Sequence, residues 1–401
     1  MSNVAANIDA LLSSTPDLWQ EAAEGLAPGD SLDGVLPSSR ALPDLPAAQT
    51  LAGGGQPASQ ALLASMRAEV RDTLVLKNAL FLLMYFDSLF IYRELKALYR
   101  AAPEAQQRWI DVACRKVLLR CLEVPADAHT RLTREIVRHT SRGRLATTEL
   151  AVGLAADLFA QHGRKIVIRD MAVSDGVTTL DLAEAAARRG VPVSITGTDL
   201  QLHLLHAMQG SEGIVSLCDG TVLQCVIAGI TYGVRHADLS TAPAGRLEVL
   251  AAELRGSGGE RVTMLAPQVE QVAASGQFDL RFRQEDAFNP HPDIGEADII
   301  RIANLLVERT DRHRGYYCRS DIVEAIARLG SRAKGGAYLL LNNFMQKTEH
   351  VGLRKKEKPS PRWVRVPVSG PFREDLSGVS DIPIGPTQSR EMSGRSDGPH
   401  E

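Results

Sequence analysis

The chain has 401 residues, 44% hydrophobic and 23% charged, enough apolar material for a buried core and enough length for two domains. Lys+Arg number 45 against Asp+Glu 48, a formal charge of −3, which argues against a general nucleic-acid binder. The five cysteines are odd in number and form no CxxC pair, so neither a disulfide framework nor a zinc ribbon can be written and reduced thiols in a cytoplasm are expected.

Residues 1–58 are rich in Ala, Pro, Ser and Gly and lack the basic and apolar regions of a secretory signal. With no sustained apolar period, this stretch is expected to be disordered. A short helix can start after Ser14-Thr15-Pro16-Asp17, with Trp19 either a docking contact or a solvated side chain. Residues 59–163 repeat apolar positions at three and four and are predicted to be an all-α domain punctuated by Pro103 and Pro125. Its most apolar run, Leu74 to Tyr92, is interrupted by Lys77 and Asp87. That is too short for a membrane span and predicts a buried helix.

The pattern changes at Lys165. KIVIRDMAV predicts a buried strand, VTTLDLAEAAARRG a helix, and VSITGTDL a second strand. A helix over about 201–208 comes next, which would place Asp199, His203 and His206 at a helical spacing compatible with a metal but equally with an ordinary surface. An apolar hairpin over 214–234 turns at Asp219-Gly220 and could serve as a lid or a subunit contact. Helices near 244–255 and 267–274 lead to the strands FDLRFRQ and ADIIRIA, the helix RSDIVEAIARLGSRAK, the strand GGAYLLLNN and a last hairpin turning at 357–361. Alternating strands and helices predict a mostly parallel sheet, with 164–370 as one domain and 371–401 a disordered tail.

In such a sheet ligands sit at the carboxyl ends of the strands. The first strand ends Asp170-Met-Ala172-Val-Ser174-Asp175-Gly176, with small residues at alternate positions before a helix N-terminus. The second ends in Asp199-Leu200, the third in Asp286-Ala287 and the fourth in Asn304. An acid after the second strand is placed to accept paired ribose hydroxyls.

On these residues the stretch from about Lys165 to Val368 resembles the class I S-adenosylmethionine (SAM)-dependent methyltransferases. Their first loop reads acidic-x-Gly-x-Gly-x-Gly; here Asp170 matches the acid, Gly176 the last glycine, and Ala172 and Ser174 stand in the other two places. The resemblance implies a Rossmann-like, mostly parallel seven-stranded α/β sheet preceded by an all-α segment. It also implies SAM as cofactor, held by Asp170, Ala172, Ser174, Gly176, Asp199, Leu200, Asp286, Ala287 and Asn304. Asn304-Leu305-Leu306 and the upstream helices are similar to the chemotaxis-receptor methyltransferases. Glu308 and Arg309 depart from that subfamily, so its substrate is not carried over.

Methyl transfer needs a base only where the acceptor must lose a proton. Glu308, His313, Tyr316, Tyr317 and His291 are candidates or plain loop residues, and no catalytic residue is assigned. Arg169 and Arg301, inside apolar strands, require counter-charges, for which Asp170, Asp286 and Asp298 are available. An alternative is an anion-binding pair. The expectation is a cytoplasmic SAM-dependent methyltransferase acting on a small molecule, with no metal, no nucleic acid and no membrane span. A homodimer could form through the helical segment or the 214–234 hairpin. The rival is a non-catalytic protein on the same scaffold, acting as a regulator or partner subunit.

Overall fold

The computed structural model describes residues 73–83, 89–122, 145–233, 237–303, 305–306, 319–345, 348–357, 362–368, 373–374 and 381–383, with isolated positions between 10 and 66. The expectations for residues 1–58 and 371–401 fall almost wholly outside these. Eight helices are described: α1 (Thr73–Leu83), α2 (Phe90–Ala101), α3 (Glu104–Leu122), α4 (Leu145–His162), α5 (Val177–Arg188), α6 (Ala244–Ser257), α7 (Pro267–Ser275) and α8 (Arg319–Arg332).

The larger sheet starts with β1 (Ile166–Met171) and β2 (Val193–Asp199). After an inserted segment it continues with β8 (Leu280–Gln284), β9 (Ile299–Ala303), β10 (Tyr338–Met345), β11 (Thr348–Lys356) and β12 (Arg362–Val366). Two short strands, β13 (Arg373–Glu374) and β14 (Asp381–Pro383), complete it. In space β8, β2, β1, β9 and β10 are consecutive and parallel. β11 and β12 then add in antiparallel sense, so the sheet is mixed: five parallel strands, two antiparallel ones and two short additions.

Strand alternation sorts the core into two layers. Ile168, Ile195, Ile299 and Leu340 face α4, α5 and α7, whereas Met171, Ile300, Ile302, Leu339 and Leu341 face α8. Trp363 on β12 closes the second layer, its indole N–H donating to the Ile326 carbonyl of α8 at 3.0 Å. Parallel strands joined through helices on both faces explain why these segments read as nearly continuous apolar runs.

Between β2 and α7 the chain makes a second, five-stranded sheet in the order β6-β5-β4-β3-β7. It comprises β3 (His203–Gln209), β4 (Glu212–Leu217), β5 (Val222–Ile227), β6 (Ile230–Tyr232) and β7 (Glu260–Thr263), with α6 preceding β7. The helix expected over 201–208 is therefore a strand. Leu204 packs toward α1–α3 and Leu205 and Ala207 toward α6, so both faces are apolar and the period is ambiguous in sequence. The helical spacing of Asp199, His203 and His206 disappears with that helix. The hairpin at Asp219-Gly220 forms as expected, with Gly220 at φ +88°. Its strands are internal members of this sheet, covered by α1–α3 on one side and α6 on the other.

The apolar run 74–92 is divided between α1 and α2 rather than forming one helix. Among the described residues no helix is long and apolar enough to cross a membrane. Of the cysteines, Cys114, Cys218 and Cys225 are described and free.

Candidate functional site

The parallel strands β1, β2 and β8 end side by side, and the residues following them form one rim. Asp170, the last acid within β1, is 1% exposed. Its carboxylate accepts Arg301 Nε at 2.8 Å, Arg301 Nη2 at 2.6 Å and the Thr179 hydroxyl at 2.7 Å. Arg301 also donates to the Thr178 carbonyl at 3.1 Å. Asp170 therefore ties β1 to β9 and to the first turn of α5, supporting the loop from below. This is the expected counter-charge for Arg301.

Arg169 points to the opposite face and is paired with acids the sequence reading did not name. It donates to Asp293 and lies 3.8 Å from Glu285, and Arg283 bridges the same two carboxylates at 2.6–2.8 Å. Burial works to raise the Asp293 carboxyl, but hydrogen bonds from Arg283 and the charges of Arg169 and Arg283 hold it down at about 2. Asp298 takes Arg164 at 2.7 Å, Lys334 and the Val167 amide at 3.0 Å instead. Asp293 and Glu285 escape a sequence reading because they lie outside the strands and reach Arg169 only after β8 and β1 are brought into one sheet.

The loop after β1 turns through three left-handed residues: Ala172 at φ +61°, Ser174 at +57° and Gly176 at +80°. Gly176 also has no room for a side chain, since a β-carbon there would meet Val269 at 2.9 Å and Leu265 at 3.0 Å. Ala172 and Ser174 adopt backbone angles that glycine reaches without strain, at a cost of about 1–2 kcal/mol each. The loop is held by several bonds. The Ser174 amide donates to Asp199 Oδ2 at 2.8 Å, the Val173 amide to the Thr198 carbonyl at 3.1 Å, and the Gly176 amide to the Val173 carbonyl at 2.9 Å.

Asp199 is half-buried, and its other oxygen accepts the Gln201 amide at 3.2 Å. Leu200 beside it is 37% exposed. Across the β2–β8 pair the Glu285 amide donates to the Asp199 carbonyl at 2.8 Å, which fixes the segment leading to Asp286. Asp286 is half-buried with Oδ1 accepting the Phe288 amide at 2.8 Å, and Ala287 is buried against the α8 layer. Thus Ala172, Ser174, Gly176, Asp199, Leu200, Asp286 and Ala287 meet at one end of the sheet, while Asp170 lies beneath. Asn304, Glu308, Arg309, His313, Tyr316 and Tyr317 fall outside the described residues. His291 is 60% exposed and caps the short 3-10 turn Pro292–Glu296, with Nδ1 3.2 Å from Asp293.

The arrangement fits an adenosyl ligand on its own geometry. The half-buried carboxylates Asp199 and Asp286 stand at the ends of the neighbouring strands β2 and β8. The first strand's turn leads into the N-terminus of α5, where partial positive charge collects. Thr198 is 1% exposed, and its hydroxyl has no hydrogen-bond partner among the described residues.

No protein-family model matches the chain, and no curated protein matches it. Solved structures do. Magnesium protoporphyrin IX methyltransferase from Synechocystis PCC 6803, crystallised with S-adenosylhomocysteine (SAH), is 13% identical over 56% of this chain and 64% of its own, with a TM-score of 0.25. The citrinin polyketide synthase CMeT domain is 15% identical over 63% of this chain and 52% of its own, at 0.23. The YcgJ protein from Bacillus subtilis is 15% identical over 50% and 51%, at 0.22. The chain thus spans under two thirds of each of these three structures. Likeness of this degree leaves the fold to be read from the molecule itself. Its order of five parallel strands with helix layers on both faces defines a Rossmann-like α/β fold.

Proposed function

We propose that the chain is a SAM-dependent methyltransferase acting on a small-molecule acceptor. The observation that carries this reading is the Ser174–Asp199 hydrogen bond. It joins the turn after β1, left-handed at Ala172, Ser174 and Gly176, to the acid that ends β2, so that loop amides and ribose-accepting carboxylate form a single unit. In this reading Asp199 accepts the ribose hydroxyls, Asp286 and Ala287 flank the adenine, and Ala172 and Ser174 let the backbone approach the ligand. Asp170 acts indirectly, through Arg301 and Thr179.

When bound, SAM supplies an already activated methyl group on a sulfonium. The work left to the chain is orientation of the acceptor in line with that group and exclusion of water. The formal charge of −3 and the acidic strand ends favour a neutral or cationic small molecule over nucleic acid.

Residues 164–370 form the catalytic unit in this proposal, together with α4, whose Ala151, Val152 and Ala155 pack into the same core layer as β1. The earlier helices α1–α3 pack on the second sheet, which this stretch inserts between β2 and α7. The free thiols accord with a reducing, cytoplasmic setting.

The test is calorimetric titration of the full chain with SAM and SAH, alongside Asp199→Ala. Micromolar binding is expected, weakened about 10- to 100-fold in the variant, the effect of losing about 1.5–3 kcal/mol of charged hydrogen bonding. Absence of binding by the folded wild type would favour the second reading, a non-catalytic partner subunit. The β-carbons on left-handed Ala172 and Ser174 are the observation on its side.

A further inference from the structure

The loop that forms the centre of the site is also gripped from outside the Rossmann-like sheet. Asp175, between left-handed Ser174 and Gly176, is 6% exposed, and its carboxylate turns away from the rim. Oδ2 accepts Arg115 Nε at 2.9 Å, and Oδ1 lies 3.2 Å from the Val177 amide that opens α5. Arg115 comes from α3, sixty residues earlier, and is itself 8% exposed.

One turn before it on α3, Asp111 accepts the amide of Gln268 in the first turn of α7 at 3.0 Å. The Asp175 carbonyl in turn accepts the Ala266 amide, just ahead of α7, at 2.8 Å. α3 therefore holds both the turn and the helix start packed against it.

We propose that Arg115 is a positioning residue of the cofactor site, and that through it α3 holds the 172–176 turn in the conformation that receives SAM. This rests on the methyltransferase reading above. The physical need is specific to this sequence. Strained backbone persists only where its surroundings over-determine it. Two of the three left-handed positions here lack the glycine that would make the turn self-sufficient. A buried ion pair is a costly way to join two elements, and its value lies in fixing one geometry rather than in net attraction. Here the geometry fixed is the residue between the strained Ser174 and Gly176. The helical segment thereby becomes part of the site although Arg115 touches no ligand.

The experiment uses the full chain and two readouts: SAH affinity by calorimetry, and amide hydrogen exchange of 172–177 in ligand-free protein. Arg115→Met is expected to raise the Kd for SAH at least tenfold and to speed exchange of the turn. Arg115→Lys, which keeps a donor, should recover part of the affinity. Asp111→Asn serves as the control for docking alone: it weakens the contact of the same helix with α7 and should leave the Kd within twofold.

Wild-type affinity and exchange in Arg115→Met would overturn the proposal, as would an equal loss in Asp111→Asn. If Arg115→Met does not fold, Arg115→Met/Asp175→Asn removes both charges together. A raised Kd in that double variant supports the proposal, and an unchanged one overturns it. A folded wild type that binds no SAH would remove the cofactor reading and with it the role of Arg115 in a cofactor site. Exchange of the turn would then still show whether Arg115 braces it.

Discussion

Replacing Arg301 by Leu isolates the most deeply buried charge beneath the site. The Arg301 and Asp170 side chains are each 2% exposed, and the guanidinium meets the carboxylate through two bonds of 2.8 and 2.6 Å. Leucine fills much of the volume but leaves Asp170 with the Thr179 hydroxyl as its remaining side-chain donor. A buried pair broken on one side costs about 3–5 kcal/mol, a large part of the ~5–15 kcal/mol that holds a typical domain folded.

Urea unfolding followed by circular dichroism measures this loss directly. Asp170→Leu/Arg301→Met, which removes both charges, should recover most of the stability. A change under 1 kcal/mol in Arg301→Leu, or no recovery in the double variant, would refute the account of Arg301 as the partner of Asp170. It would instead favour a free anion-binding arginine.

Three further outcomes follow from the same structure. Ala172→Gly and Ser174→Gly should each stabilise the protein by about 0.5–1 kcal/mol, because relief of left-handed strain exceeds the entropy cost of glycine; a lower urea midpoint in both would contradict the turn geometry. His206 on β3 is 3% exposed, packs edge-on to Phe90 at 6.2 Å, and is pushed down to about 4 by burial, with Arg93 adding to it. The unfolded imidazole titrates near 6.5, so the unfolded state binds more protons between pH 6.5 and 4; stability is full above that window and falls by up to about 3 kcal/mol as pH drops through it. His206→Leu should flatten this decline, and an unchanged pH profile would discard His206 as its source. Asp298, where burial is outweighed by Arg164, Lys334 and the Val167 amide, sits at about 2, so its contribution is present above about pH 4 and lost as pH falls toward 2. Asp298→Asn should lower stability at pH 7 and lose that acid dependence.

The rim was legible as sequence because its parts are local. A buried strand, a run of small residues and a helix start follow one another within Ile166–Val177, and acids at 199 and 286 close two further strands. The alternation of strands and helices from Lys165 onward likewise dictated a parallel sheet flanked by helices, since such connections admit one handedness. The need of Arg301 for a counter-charge was equally visible, because an arginine inside IIRIA has no other way to be buried.

What lies across the chain was not legible. The second sheet was legible at its hairpin but not at β3, because His203–Gln209 is apolar toward both α1–α3 and α6, which erases the two-residue period that marks a strand. Arg169 found Asp293 and Glu285, and Asp175 found Arg115, over separations of 124, 116 and 60 residues, where spacing carries no information about contact. Local order of residues determined which groups this protein could bring to a ligand. Only the packing of α3, the inserted sheet and the strand ends against one another decided which of those groups are left facing it, because burial and ion pairing are properties of neighbours in space.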